Sequence, residues 1–401
     1  MNRLILIGNG FDLAHGLKTS YADFIDWYWE QRLDKMYQKK SDGFRDPLCD
    51  VGTVNVRNLN YEYYKKEHLE NGISPIDYIR GYSYDGDDTY KETGVSAYDF
   101  ITACISYNED RNFIIDPDKH PLMARIMHSV ETKGWVDIEN DYYELLKETI
   151  KKKEYRSLTK QLNDQLQFLQ EKLIEYLNSL PGTLLIDDVD NKISQIVKPE
   201  DISVNERLAV TSSIKSIAKK YDEIERNPEE NVKWSPKKKM LLNFNYTRTA
   251  SRYYSYVSRE EIFIHGSLIE PKNMIFGYGD ELDDDYKEIV NKNDNELLKY
   301  TKSVKYLETT NYRRVLEFME SDYFQVLIMG HSCGNSDRTL LNTIFEHPNC
   351  VSIKPYYYKK PDGTDNYLDI VQNIYRNFQD KKSYRDRVVS KDRCEPLVGK
   401  K

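Results

Sequence analysis

The sequence predicts a doubly wound α/β fold, with one parallel sheet of nucleotide-binding type interrupted by a large, mainly helical insertion. Three observations predict it. The chain opens on a continuous apolar run, Leu4-Ile5-Leu6-Ile7, closed by Gly8 and Gly10, which is the pattern of a strand buried on both faces. Beyond residue 239, four more brief apolar runs bounded by polar turns recur at 240–244, 261–264, 324–329 and 350–353. Helical patterns fall between or after them, near 247–257, 311–321, 338–346 and 366–379, which gives the strand-helix alternation of a parallel sheet.

Taken in order, residues 2–7 form the first strand and a glycine turn then opens a helix. A cap at Thr19 or Ser20, with apolar spacing at Phe24, Trp27 and Tyr28, predicts a second helix running to about residue 39. Residues 41–87 are rich in Gly, Asp, Asn, Lys and Tyr without a clear period, and read as an extended surface insertion. From about 95 to 220 the pattern is helical, with Trp135, Ile138, Tyr142, Leu145 and Leu146 on one stripe. The strongest helix carries Leu158, Leu162, Leu166, Leu169, Leu173, Tyr176 or Leu177, and Leu180 at three- and four-residue steps, and Pro181-Gly182 stops it. Such a stripe belongs to a helical hairpin or bundle core, or else to a coiled-coil seam. The expected division is therefore a nucleotide-type domain from 1–40 and 235–380, a helical insertion over 41–234, and a C-terminal tail over 381–401.

Composition narrows the classes. In 401 residues, 33 Tyr and 13 Phe supply aromatic surface that a disordered chain lacks. A net charge of −8 argues against a generally basic nucleic-acid surface and against attraction to anionic membrane. The five cysteines, Cys49, Cys104, Cys333, Cys350 and Cys394, are odd in number and far apart, which fits reduced thiols better than disulfides or a zinc site. The first strand begins too early for a signal peptide to precede it, and no apolar run approaches the roughly 18 residues of a membrane span. A cytoplasmic protein is expected, without membrane or direct nucleic-acid partners and without a metal.

Four turns, each after a predicted strand, carry residues suited to chemistry. The first is Gly8-Asn9-Gly10-Phe11-Asp12, continuing to Gly16, where glycines let backbone approach a phosphate and the following helix start offers N–H groups; a plain strand-to-helix turn would look the same. Its third glycine comes three residues later than the usual dinucleotide fingerprint requires. The second is Asn243-Phe244-Asn245-Tyr246-Thr247, whose alternating carboxamides can grip ribose hydroxyls or a water, or simply end the strand through Asx turns. The third is Ile264-His265-Gly266, an imidazole placed either as a general base or as a structural group. The fourth is Gly330-His331-Ser332-Cys333-Gly334-Asn335-Ser336-Asp337, suited to a second phosphate or ribose contact, with Ser336 or Asp337 otherwise capping a helix.

As an ordered set, these turns and the segment Trp135-Val136-Asp137-Ile138-Glu139 resemble the AbiH family of bacterial anti-phage proteins. The same turns are similar to a divergent sirtuin site. Gly8, Gly10 and Gly16 match the three glycines of that pattern, Asn245 its catalytic asparagine, His265 its catalytic histidine, and Gly330 with Ser332 its last turn. Asp12 replaces a small hydroxyl residue, Thr247 replaces the usual aspartate, and the cysteine quartet of the sirtuin zinc is missing. The resemblance implies a Rossmann-like fold and an abortive-infection effector that hydrolyses NAD to nicotinamide and ADP-ribose, in preference to protein deacylation.

On that implication Asn245 and His265 are catalytic. NAD is held by Gly8, Asn9, Gly10, Phe11, Asp12, Gly16, Asn243, Thr247, Gly330, His331, Ser332 and Asp337, with Asp12 on a ribose hydroxyl or orienting backbone amides. Trp135 and Glu139 line the same site or pack. The alternative is a non-catalytic sensor or scaffold that binds NAD or ADP-ribose in a defence complex, as a homo-oligomer or with a partner protein. The acidic stretch 280–285 is expected to be a solvated face.

Overall fold

The computed structural model describes residues 1–39, 44–51, 97–98, 115–133, 137–182, 186–213, 236–253 and 259–399. Its strands in chain order are β1 (Asn2–Ile7), β2 (Phe44–Asp46), β3 (Cys49–Val51), β4 (Lys239–Asn243), β5 (Arg259–Phe263), β6 (Phe324–Met329) and β7 (Cys350–Tyr356). The chain divides into two compact units, one of residues 1–19 and 177–401 and the other of residues 20–176.

The first unit holds a five-stranded sheet in the order β5-β4-β1-β6-β7, parallel at every pairing. Counting only these five strands along the chain, the order is 3-2-1-4-5, that of the dinucleotide-binding fold without its last strand. The α/β fold read from the sequence is therefore the fold found. Because side chains alternate across a strand, β1 supplies both layers of core. Leu4 and Leu6 join Met240, Leu242, Val326 and Ile328 under the helices Asn311–Glu320, Arg338–Phe345 and Tyr367–Asn377. Ile5 and Ile7 join Leu241, Leu327 and Met329 under Phe11, Val189, Ile193 and Tyr253.

Two sequence expectations shift in detail, and one buried charge was marked by no sequence pattern. The strand expected to end at 353 continues to Tyr356 through Lys354 and Pro355. Pro355 is tolerated because β7 is the sheet edge, where a missing N–H breaks no ladder on its outer side. That edge is partly covered by the chain itself, since Val389 N–H donates to Ile353 O at 2.9 Å and Leu397 N–H to Tyr357 O at 2.9 Å. In place of a helix near 247–257 the described residues show one short 3₁₀ turn, Ala250–Arg252, and 254–258 lie outside them. Arg3, hidden within the first apolar run's flank, is fully buried. Its guanidinium donates to the carbonyls of Ile193 (2.9 Å) and Gln195 (2.6 Å) at the end of the helix Asp187–Ser194, and to Gln325 Oε1 (2.9 Å). Burial pulls its pKa down to about 10, with Tyr356 and Asp201 opposing.

The second unit is helical, with Tyr21–Lys39, Pro121–Lys133, Ile138–Thr149 and most of Tyr155–Ser179, plus the β2-β3 hairpin. Leu162, Leu166, Leu169 and Leu173 of the long helix are buried within the chain, so this stripe is a core face and not an open coiled-coil seam. Polar cross-links fix its register: Tyr142 donates to Asn163 Oδ1 at 2.8 Å, and Gln165 accepts from Leu122 N–H at 3.1 Å. Asp137 caps Ile138–Thr149 by accepting from Asn140 N–H, and Glu139 is buried; Trp135 lies outside the described residues. Most of the expected 41–87 insertion also lies outside them. Among the described residues, no helix is long and apolar enough to cross a membrane.

Candidate functional site

All four turns leave the carboxyl ends of β1, β4, β5 and β6, the side on which open parallel sheets bind ligands. The turns after β1 and β6 flank the point where strand order reverses, and there they cross backbone against backbone. Gly8 N–H donates to Met329 O at 3.2 Å, Gly10 N–H to Gly330 O at 2.8 Å, and Phe11 N–H to Gly8 O at 2.8 Å. A Cβ on Gly8 would sit 2.4 Å from His331 Cα, and one on Gly330, which holds φ +77°, 2.0 Å from Phe11 N. The crossing by itself therefore requires glycine at these positions; it engages the Gly8 and Gly10 N–H groups, and with the β1 turn's own Phe11 bond three of the N–H groups that a phosphate cradle would use are taken.

Beside this crossing lies a group of residues from the end of β4, the turn that follows it, and the helix after β1. Asn245 Nδ2 donates to Gly8 O at 3.0 Å, and Asn243 Oδ1 accepts Asn245 N–H at 3.0 Å, forming the Asx turn that its pattern allowed. The other end of the Asn243 amide donates to Glu261 Oε1 at 3.2 Å. Asp12 is 1% exposed, and its Oδ2 accepts the Thr247 hydroxyl while its Oδ1 has no hydrogen-bond partner. Burial raises the Asp12 pKa, and the nearby Thr247, Thr249 and Asn245 groups only partly offset it. A buried acceptor of this kind is costly unless something supplies a donor, and a ribose hydroxyl has the right chemistry. Asn9 is exposed and accepts from Thr19 Oγ1 at 2.5 Å. Gly16 stands in the open with φ +80°.

A second group forms around Asp337. Asp337 occupies the position before the helix Arg338–Phe345, yet its side chain makes no capping bond. Instead its Oδ1 accepts from Lys302 Nζ at 2.8 Å and lies 3.2 Å from His265 Nε2, while Oδ2 is 3.5 Å from His331 Nε2. Lys302 is 0% exposed and His265 4%. Burial opposes ionisation of Asp337, but the Lys302 ammonium and the two imidazoles outweigh it and hold its carboxyl well below the usual range. His265 is shifted the other way: burial, then the Lys302 charge, lowers its pKa against the pull of Asp337.

The hydrogen bonds also locate protons. His331 Nδ1 accepts Cys333 N–H at 2.9 Å, which leaves its proton on Nε2 towards Asp337. A carboxylate only accepts, so His265 likewise carries its proton on Nε2, with the Tyr306 hydroxyl 3.2 Å away, and Nδ1 keeps the lone pair. Phe244 meets both imidazoles edge-on, at ring-centre distances of 5.3 Å from His265 and 4.1 Å from His331. Gly266, at φ +78°, lets the chain turn directly after His265, where any Cβ would lie 2.4 Å from Asn273 O.

The structure thus brings together Gly8, Gly10, Asp12, Asn243, Asn245 and Thr247 in one group and His265, His331 and Asp337 in another, with Gly8 packed on His331 between them. Ser332 joins neither: it is exposed, and its carbonyl accepts from Asn373 Nδ2 at 2.8 Å. The acidic stretch is solvated except for Asp280, which is buried against Arg338 at 3.3 Å. Sequence reasoning missed Lys302 and Tyr306, which follow no strand and belong to no recognisable turn. The one trace is the pair Gly277 and Gly279. A Cβ on Gly277 would meet Tyr300 O at 2.0 Å and one on Gly279 would meet Lys302 Cβ at 3.2 Å, so these glycines let the segment carrying Lys302 dock. Among the described residues, no group of three His, Cys, Asp or Glu side chains is arranged to hold a metal ion.

Fold and site together define a Rossmann-type α/β protein with buried, polar turn residues at the strand-order switch. The family model for AbiH, the bacteriophage abortive-infection protein, matches residues 4–358, and the chain belongs to that family. Its role is accordingly in abortive infection by phage. No curated protein and no solved structure matches the chain.

Proposed function

We propose that the chain acts in abortive infection by hydrolysing NAD at the switch-point turns. The observation that carries this reading is the buried, unpartnered Oδ1 of Asp12 beside Asn245, which is itself anchored to Gly8 O. That pairing is suited to gripping a ribose next to the bond to be cut. Cleavage breaks the bond between the ribose C1′ and the nicotinamide nitrogen, whose departing electron pair makes nicotinamide neutral. The ribose passes through oxocarbenium character, as in glycoside hydrolysis, and a water oxygen forms the new bond to C1′. Asp12 accepts a ribose hydroxyl, Asn245 orients ribose or water, and the lone pair on His265 Nδ1 takes the proton that the water loses. Burial keeps that imidazole unprotonated, as a base requires. Asn9, Thr247 and the Gly8 to Gly16 turn supply the surface for the rest of the dinucleotide.

One observation favours the second reading, a nucleotide sensor without turnover. His265 and Asp337 are buried in a closed set of mutual hydrogen bonds, an arrangement that suits a rigid binding surface as well as a reacting one. Nicotinamide release from NAD by purified protein, alone and with phage-infected lysate, separates the two. Hydrolysis that falls by about 10²–10⁴-fold in Asn245→Ala and in His265→Ala supports the enzyme. Saturable NAD binding without release in infected lysate replaces it with the sensor.

A further inference from the structure

We propose that Lys302 is the positioning residue of this site: its buried ammonium fixes Asp337 as the acceptor that orients His265 with Nδ1 presented as the basic nitrogen. The inference deepens the hydrolase reading and rests on it for the use made of His265. It stands on geometry that is independent of any substrate. Lys302 is 0% exposed and donates to Asp337 Oδ1 at 2.8 Å, the same oxygen that lies 3.2 Å from His265 Nε2.

An unpaired buried carboxylate would be costly and would draw a proton onto whichever partner could hold one. Lys302 supplies the compensating charge, so His265 donates a hydrogen bond without becoming an imidazolium. Its backbone is set with equal care. Lys302 N–H donates to Tyr278 O at 2.8 Å, Tyr278 N–H donates to Tyr300 O at 2.9 Å, and Gly279 leaves room for the Lys302 side chain. Tyr306, four residues on, stacks parallel to the His265 ring at an interplanar angle of 3° and places its hydroxyl 3.2 Å from Nε2. One short segment therefore holds both the charge and the orientation. The charged and titratable groups that face His265 are Lys302, Asp337, His331 and Tyr306.

The test reads His265 directly, by ¹⁵N-histidine long-range correlation spectra of the full chain, assigned with His265→Gln. Wild type should show the proton on Nε2 and a titration below the usual histidine range. Lys302→Met should raise the His265 midpoint by about 1–3 pH units, because Asp337 loses its cation and turns to the imidazole. If Lys302→Met does not fold, Lys302→Met with Asp337→Asn removes both charges together, and there the preference for Nε2 should weaken while the imidazole stays neutral. Tyr306→Phe keeps the ion pair and should leave the midpoint in place.

In NAD cleavage, the acid limb of kcat/KM should move upward with the midpoint in Lys302→Met. An unchanged His265 titration in folded Lys302→Met, or an equal shift in Tyr306→Phe, overturns the assignment. If wild type leaves NAD intact while the titration moves as stated, the hydrolase reading falls and the positioning role stands. If NAD is cleaved and the titration does not move, the reverse holds.

Discussion

Gly330 and Gly16 form a matched pair for testing why this turn motif is rich in glycine. They hold nearly the same backbone angle, φ +77° and +80°, so alanine at either pays the left-handed penalty of about 1–2 kcal/mol. At Gly16 nothing lies within 4 Å of the added Cβ, and that penalty is the whole cost. At Gly330 the Cβ would sit 2.0 Å from Phe11 N and 2.5 Å from Gly10 C, both backbone atoms. Relief requires the two turns to part by more than an ångström, which breaks the 2.8 Å bond from Gly10 N–H to Gly330 O. Overpacking costs about 1–3 kcal/mol and a lost buried hydrogen bond about 1–3 more. One backbone shift relieves the overlap and breaks the bond together, so the terms do not simply add. Gly330→Ala should cost about 3–5 kcal/mol against about 1–2 for Gly16→Ala.

Urea unfolding followed by circular dichroism gives the difference, with hydrogen exchange at the Gly10 and Phe11 amides reporting where the loss occurs. Opening should be concentrated at the β1 turn in Gly330→Ala and absent there in Gly16→Ala. Equal costs for the two substitutions, or unchanged protection of the Gly10 amide, would refute the claim that crossing turns set this glycine requirement.

The other expectations are simpler to state. Asn245→Ala and His265→Ala should each lose NAD cleavage and phage defence while remaining folded, and the double variant should be little worse than either, because on the proposed mechanism both act on one water or ribose hydroxyl. Asp12→Asn should leave the fold at least as stable at neutral pH yet weaken nucleotide binding about 10–100-fold by isothermal titration, since a charged acceptor is lost. The sign follows from the raised pKa of Asp12: the fold binds that proton before the unfolded chain does, so its contribution to stability grows as pH falls through the folded pKa towards about 3.9 and is missing in Asp12→Asn. His265 works in the opposite sense, because its lowered pKa makes the unfolded chain bind the proton first, and stability should fall as pH drops below about 6.5. Arg3→Met should lower stability by about 3–5 kcal/mol in thermal unfolding, as it strands the carbonyls of Ile193 and Gln195 and the Gln325 amide oxygen.

The sheet was legible because β1, β4, β6 and β7 are buried on both faces, and a run such as Leu4 to Ile7 or Val326 to Met329 has no other simple reading. The last residues of β7 were not, because Lys354 and Pro355 interrupt the apolar run. Lys354 is nevertheless buried against Asp201 at 2.9 Å, a partner 153 residues away. The turns were legible as a set, since each follows a strand at its carboxyl end. Lys302 was not, because it lies 35 residues before Asp337 in a segment with neither period nor motif, and only the folded chain brings the two together. The Asx turn at Asn243 was one of two readings and is the one packing formed; Asp337 was read as a ligand contact or a helix cap, and its side chain makes no capping bond but pairs with Lys302, a partner neither reading named.

The crossing of the β1 and β6 turns alters what the glycine motif can contribute to nucleotide binding. In an ordinary dinucleotide site, backbone N–H groups after the first strand meet the phosphates, and the helix start adds its partial charge. Here the N–H groups of Gly8, Gly10 and Phe11 are already donated to Met329, Gly330 and Gly8. On the proposed reading, recognition therefore shifts from amides to side chains: the free oxygen of Asp12, the Thr247 hydroxyl bonded to its other oxygen, and the Asn245 amide anchored on Gly8 O. On that reading a carboxylate in that place repels phosphate and accepts a hydroxyl, so the grip falls on ribose, at the bond proposed for cleavage. The departure of Asp12 from the small hydroxyl residue of the sirtuin pattern then has a physical account. On that reading the crossing occupies usual phosphate donors, and the buried acid of Asp12 would grip the sugar in their place.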